Sequence, residues 1–521
     1  MILEHLLWTG ATWTSVGLVL GLTFLAYFAA TTVKTWHRLR HIPGPRGAGF
    51  SKWWLLRNTL GGNLHLATKA ACRQYGPLIR VGPNQLVTND PEVLRRMWSV
   101  RSPYKKGPFY EAVRFNPARD NLISMRDDAL HAELRAKMAN GYGGKDNDSL
   151  EAAMDKEILA FVDLLERKYI STDTDYRPVD LARKVQYLTL DVITALAFSK
   201  RFGYTEQDAD VYSYIKITED SMPVMMFLSI FPGLAKVLQS PLFRRLMPSE
   251  HDRVGFGRFI AVAKQIVGER LASDQPKRRD MLGSFLAHGL TREEAEGETL
   301  LQIIAGSDTT ATALRTTLLY LMSSPHSYRR LTDEVRAAAA AGRISSPVVT
   351  DAEARRLPYL QAVIKEGMRI NPPVAGTMDV VVPEGGDVLC GFTVPAGTEV
   401  GCSEFGVQSL SSVFGPDADV FRPERWLEAE AEAAAAAAEK EGEDRLKQMN
   451  NTWGLIFKAG KWQCLGKEVA LVELNKVFVE LLRRYDFTLV NASKPWHSIN
   501  AGIFIQSGLT TKITRVGPVA A

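Results

Sequence analysis

The longest uninterrupted apolar stretch, Trp13 to Val33, carries no charge over 21 residues, about the length needed to cross a hydrocarbon core of roughly 30 Å. Lys34, His37, Arg38 and Arg40 follow it. The pattern predicts one N-terminal transmembrane helix whose C-terminal side is cytosolic. Ile42-Pro43-Gly44-Pro45 cannot continue a helix and predicts a stiff bend. Leu78 to Val81 and Gln85 to Thr88, separated by Gly82-Pro83-Asn84, predict a short hairpin. From Pro91 the apolar period becomes mostly helical. Its longest run, Thr291 to Ser323, opens on a capping box of Thr291 and Glu294. Val469 to Leu482 places Ala470, Leu474, Val477, Phe478 and Leu481 on one helical stripe. Leu427 to Met449, with six successive alanines, reads as a solvated surface helix or a disordered loop, and Ser498 to Val516 as strands turning at Gly508. The expectation is a mainly α chain with small β-sheets, divided into an anchor (1–35), a basic, proline-containing hinge (36–48) and one large domain (49–521).

Composition narrows the function. With 46% hydrophobic and 23% charged residues, 521 residues bury a large core. A formal charge of +5 gives no general case for nucleic acid. Four scattered cysteines without paired spacing argue against a disulfide framework and a zinc site, and point to a reducing compartment.

Three places break local rules. Ala305-Gly306-Ser307-Asp308-Thr309-Thr310 puts a glycine and two threonines at a helix centre; Gly306 either opens room beside the axis or marks a tight helix crossing. Glu366 and Arg369 have intrahelical ion-pair spacing, but so do Glu92 and Arg95, Glu111 and Arg114, Glu250 and Arg253, Glu353 and Arg356, and Glu480 and Arg483. Most of these must be surface pairs. Finally, Cys464 lies just ahead of a helix N-terminus, where free backbone donors and partial positive charge favour a thiolate. By pattern alone a buried structural thiol is the simpler reading.

Only Cys464 has a Phe seven before it and a Gly two after it, in Phe457-Lys458-Ala459-Gly460-Lys461-Trp462-Gln463-Cys464-Leu465-Gly466. This loop resembles that of the haem-thiolate monooxygenases, the cytochrome P450 family. The likeness runs in order through the anchor, the proline hinge, the helix at Gly306, Glu366-x-x-Arg369 before Asn371-Pro372-Pro373, Phe421 to Trp426, and the cysteine loop. It implies a cytochrome P450 fold with a single haem domain, haem b as cofactor, and Cys464 as axial ligand. Phe457 would shield the sulfur, and Gly460 and Gly466 would let backbone lie flat against the macrocycle. His131 and Arg135, four apart, would take a haem propionate, and Arg425 would join Glu366 and Arg369 in a structural cluster. The implied reaction is reductive activation of oxygen, with Thr309 and Asp308 delivering protons. Ile304, Ala305, Thr310, Val374, Ala375 and Ile503 are the expected walls for a lipophilic small molecule.

More narrowly, Gly306-Ser-Asp-Thr-Thr-Ala-Thr-Ala, Leu357-Pro-Tyr-Leu-Gln-Ala-Val-Ile-Lys-Glu and Lys461-Trp-Gln-Cys-Leu-Gly-Lys look like fungal enzymes of the pisatin-demethylase-like group. The family usually has a basic residue two before the cysteine, where this chain has Trp462, and a Gly or aromatic after the Phe, where it has Lys458. No flavin or nicotinamide domain follows the loop, so electrons are expected from NADPH through a separate membrane-bound reductase, with cytochrome b5 as a further partner. Lys458, Lys461 and Lys467 are the expected docking patch. The expected location is the endoplasmic reticulum membrane, with the domain in the cytosol and the acceptor sequences at Asn147, Asn450 and Asn491 unglycosylated. A haem-thiolate isomerase or dehydratase, and a haem or sterol binding protein without catalysis, are the alternatives.

Overall fold

A computed structural model of the chain describes residues 2–117, 119–144, 146, 150–272, 278–439 and 445–517. Helices dominate, and the core is one large cluster gathered about the long helix Arg292–Met322. That helix opens on the expected capping box, with Thr291 and Glu294 satisfying each other's backbone N–H groups. Along its length it packs on Leu181–Phe198, Phe256–Ala272, Pro358–Ile370 and Lys467–Arg484. Helix on helix around a buried axis leaves only small sheets at the rim.

The largest sheet has five strands in the order Leu78–Arg80, Gln85–Thr88, Glu399–Cys402, Val380–Val381 and Lys105–Lys106. The predicted hairpin forms its edge, with Ile79 opposite Val87, and Gln85–Thr88 also runs parallel to Glu399–Cys402, a pairing no local pattern announces. The tail forms His497–Ser507 and Thr510–Arg515, turning at Gly508 with φ +73. Ile503 stands opposite Val374, and Gly502 opposite Ala375.

The N-terminal helix Ile2–Leu39 runs through the expected boundary at residue 35. Among the described residues no single helix is long and apolar enough to cross a membrane, so the single spanning helix expected from the sequence is unsupported. What the structure does show is exposed apolar surface on that helix at Leu18, Leu20, Leu22 and Tyr27. The C-terminal end of the helix is clasped by Arg80, a buried residue whose guanidinium donates to the carbonyls of Thr35, Trp36, Gly49 and Pro83. The proline bend lies against the same strand: Arg80 N donates to Pro43 O at 2.7 Å, and a Cβ on Gly44 would meet Arg80 O at 2.1 Å. The alanine-rich segment is a helix, Glu424–Glu439, but its start is core, with Trp426 and Ala429 fully buried. Residues 440–444 lie outside the described residues, as does Asn147.

Candidate active site

The cysteine loop joins two short helical turns, Leu455–Phe457 and Gly460–Trp462, to the helix Lys467–Arg484. Cys464 N donates to Phe457 O at 2.8 Å and closes the loop. Burial pushes the Cys464 thiol up, while the backbone N–H groups of Gly466 and Lys467 and the charge of Arg135 favour its ionised form. The sulfur stands at the helix start that the apolar stripe implied. Phe457 is buried edge-on against Trp453.

The two loop glycines differ in what surrounds them. Gly460 has φ +56, and a Cβ there would meet Trp98 O at 2.2 Å, so it is required by the end of helix Pro91–Trp98. Gly466 is the residue capping the cysteine helix, and a Cβ there would make only ordinary contacts with Cys464 Sγ and Tyr142, both at 3.9 Å.

Cys464 is exposed although its loop is set in the core, and on the long helix Ala305 is exposed too. We read these two exposed faces as the sides of one slot between loop and helix. Thr309, one turn on from Ala305, is half-buried and donates to Ala305 O at 2.8 Å. Asp308 turns the other way. It is 3% exposed and accepts from Tyr214 OH and, at 2.5 Å, from Gln186 Nε2. Ser307 Oγ lies 3.1 Å from Tyr214 OH, and Arg315 Nη2 donates to Gln186 Oε1 at 2.7 Å. Burial pushes the Asp308 carboxyl up to about 6, against the pull of Tyr214, Arg315 and Ser307. A helical step of one residue thus separates the two expected proton carriers onto different faces. Gly306 is a tight crossing: a Cβ would meet Ile193 Cγ1 at 2.6 Å.

Arg135 lies near Cys464, and with His131, Lys106, Lys458 and Lys461 it makes up one cluster. Burial, with Lys106, Arg135 and Lys461 adding to it, holds the His131 imidazole down to about 3. Burial and the Lys458 charge hold Lys106 down to about 7. Trp462, 8% exposed, has an indole N–H without a protein partner. A sulfur at a helix start with the Arg135 charge near it, further cations around His131 and Lys106, and an indole N–H without a partner beside Lys461 suit a macrocycle with carboxylate arms, so the residues present fit a haem. The expected docking patch does not assemble. Lys461 donates to Ser102 O, Tyr104 O and Asp128 Oδ2 at 3.1, 2.7 and 2.8 Å, which uses all three of its N–H groups inside the protein. Lys458 Nζ also turns inward, to Tyr110 OH at 2.8 Å. Lys467 lies over the Phe457 ring.

Of the expected substrate walls, Val374, Ala375 and Ile503 meet on one strand pair, and Ala375 lines a cavity with Phe109, Met226 and Gly502. Ile304 and Thr310 are buried in the long helix, with Thr310 one turn on from the crossing at Gly306.

Glu366 is fully buried. Arg369 holds both its oxygens at 2.8 Å, Arg425 Nε reaches Oε1 at 3.0 Å, and Trp426 Nε1 reaches Oε2 at 3.0 Å. Burial raises this carboxyl, but the two guanidiniums outweigh it and hold it below its usual range. The indole of Trp426, the backbone N–H of Arg422 and the Asp417 contact of Arg425 extend the cluster beyond the expected three residues. Sequence reasoning also missed Tyr214, Gln186 and Lys106, because nothing local ties them to the motifs they serve. Of the other Glu-x-x-Arg repeats, Glu92 with Arg95 is an exposed pair, whereas Glu480 with Arg483 is buried.

The chain has extensive similarity to known proteins. The chain is 41% identical over 497 residues to cytochrome P450 monooxygenase ABA1 of Pyricularia oryzae, covering 94% of this chain and 95% of that one. It is 38% identical to aba1 of Botryotinia fuckeliana, over 92% of both chains, and 29% identical to mfmA of Annulohypoxylon moriforme, over 96% of both. None of these names refers to pisatin, so they do not show the narrower group. The cytochrome P450 family model matches residues 43–514, and with a cysteine loop, long helix and buried Glu366 cluster in the places described, the chain belongs to the cytochrome P450 family.

Proposed function

We propose that the chain is a haem-thiolate monooxygenase that inserts one atom of molecular oxygen into a lipophilic small molecule, by hydroxylation or O-demethylation, in fungal secondary metabolism or detoxification. The observation that carries this reading is Cys464 at a helix N-terminus, facing the slot beneath Ala305 and Thr309. The names of the ABA1 relatives support the monooxygenase class, while the likeness to pisatin-demethylase-like enzymes rests on the runs at Gly306, Leu357 and Lys461.

Haem bound there supplies the reductive activation of oxygen, and the chain supplies position and protons. Cys464 acts as thiolate, favoured by the N–H groups of Gly466 and Lys467. Thr309 presents its hydroxyl on the slot and can exchange its bond to Ala305 O for one to a bound species. Asp308 holds a proton between the long helix and Tyr214, to be passed to Thr309 through water. The strand pair of Val374, Ala375 and Ile503 orients the apolar substrate.

Electrons come from NADPH through a separate reductase, with cytochrome b5 as an additional donor. The domain sits on the cytosolic face of the endoplasmic reticulum membrane, anchored by the helix Ile2–Leu39. Supporting this are the exposed apolar side chains of that helix and a second set at Trp53, Leu60, Leu234 and Val237, on two helices that share Tyr214–Ile230 as neighbour. The test of the site is Cys464→Ser. It should lose haem or bind it without the red-shifted reduced-carbonyl band of a thiolate ligand, and an unchanged band would overturn the assignment.

A further inference from the structure

Where the family usually sets a basic residue, this chain has Trp462, and an indole cannot neutralise a carboxylate. Basic side chains have nonetheless been gathered near it, with the His131 imidazole held neutral among them. Lys106 and His131 are 4% and 5% exposed, and Arg135, Lys458 and Lys461 lie beside them. The acids near this group offer little compensation. Asp128 is engaged by Lys461 at 2.8 Å. Burial pushes Glu298 and Glu404 up to about 8, so both hold protons at neutral pH. Asp120, the other acid acting on Lys106, is engaged by Arg114 at 2.9 Å. Buried or half-buried cations with so few acids to themselves are costly, and a bound anion offsets that cost.

Lys458 is built for such an anion. Its backbone has φ +55, a region that costs a side-chain-bearing residue energy and persists where the surroundings impose it. Its ammonium lies 5.5 Å from the ring centroids of both Trp98 and Tyr110 and makes one hydrogen bond, to Tyr110 OH. Tyr110 in turn donates to Met378 O at 3.3 Å, which orients the phenol to accept. Two of the three Lys458 donors are left over. Lys106 spends two of its donors on Leu122 O and Ile123 O, at 2.9 and 2.8 Å, and keeps one. The Trp462 N–H adds a further donor to spare.

We propose that Lys458, with Lys106 and the Trp462 indole N–H, forms the seat for a carboxylate arm of the haem, replacing the basic residue that the family places two before the cysteine. This rests on the haem reading above. The lysine that the sequence suggested for partner docking is thus a cofactor ligand turned inward. The same chemistry would suit the carboxylate of a substrate, and the test separates the two sources.

The experiment compares the parent with Lys458→Met and Lys458→Arg, each purified with haem and also reconstituted with haem dimethyl ester, which lacks both carboxylates. The readout is the rate of haem transfer to excess apomyoglobin, with the midpoint reduction potential alongside. Loss of a charge-assisted contact should speed transfer from Lys458→Met about tenfold or more, and move the potential negative. Lys458→Arg should stay close to the parent. With the ester, Lys458→Met and parent should release at the same rate, since the partner of the lysine is gone. Equal haem retention by Lys458→Met and parent, a defect that persists with the ester, or a defect confined to binding of an acidic substrate would each overturn the proposal. A parent lacking the red-shifted carbonyl band would instead overturn the thiolate reading, so the two failures are distinguishable.

Discussion

Tyr214, near the start of the helix Tyr214–Ile230, donates its phenolic proton to Asp308 of the long helix, 94 residues further along the chain. Both side chains are buried, and the bond ties the helix that borders the Ala375 cavity through Met226 to the acid beside Thr309. The groups facing Asp308 are Tyr214 and Glu219 from this helix, Gln186 from Leu181–Phe198, and Ser307 and Arg315 from its own. Tyr214→Phe removes a bond that lowers the carboxyl, so Asp308 should hold its proton to higher pH. The pH profile of NADPH oxidation should shift upward on its alkaline side, with haem content and the reduced-carbonyl band unchanged. A profile identical to the parent's would show that the bond has no part in proton delivery.

Thr309→Ala should leave haem binding intact and raise the hydrogen peroxide released per NADPH consumed several-fold, because the slot loses its hydroxyl while Asp308 keeps its buried partners. Peroxide yield, measured with reductase and oxygen, decides this directly.

Gly306→Ala tests packing in place of chemistry. The new methyl would press on Ile193, and overpacking of a close crossing costs about 1–3 kcal/mol. Thermal unfolding should fall, whereas peroxide release should stay at the parent's level.

Glu366→Gln leaves Arg369 buried without a counter-charge and Arg425 with Asp417 alone, a loss of about 3–5 kcal/mol. Trp426→Phe deletes one hydrogen bond to the charged carboxylate and should cost about 1.5–3 kcal/mol. Urea unfolding of both variants beside the parent checks the order.

Glu298 sets a pH dependence. Its folded-state value is raised from 4.5 to about 8, chiefly by burial. The native chain therefore keeps a proton that the unfolded chain releases, and stability falls as pH rises across that window, by up to about 1.4 kcal/mol per pH unit. Glu298→Gln should remove this part of the slope, so melting points of variant and parent should differ more at pH 8 than at pH 5.

The sequence made the long helix, its capping box, the Glu366 cluster and the place of Cys464 legible because each rests on contacts or periods within a few residues, or on a motif order. Which way a side chain faces was harder. Asp308 and Thr309 read as one unit, yet a rotation of one helical step sends them to different neighbours. Lys458 and Lys461 read as surface charge because lysines usually are, and only the positions of Tyr110, Ser102, Tyr104 and Asp128, more than 300 residues away, draw them inside. Gly460 was legible as a necessary glycine, but not the carbonyl of Trp98 that makes it necessary.

Arg80 gives the N-terminal helix a fixed bearing. Its guanidinium gathers carbonyls from the last turns of that helix, from the loop at Gly49 and from the hairpin at Pro83, while Arg38 donates to Ala396 O at 2.8 Å and Trp36 stacks on Phe50 at 5.5 Å. Such a joint transmits torque. A helix held in this way is a lever and not a tether, so whatever grips its far end also sets the tilt of the domain that Arg80 joins to it.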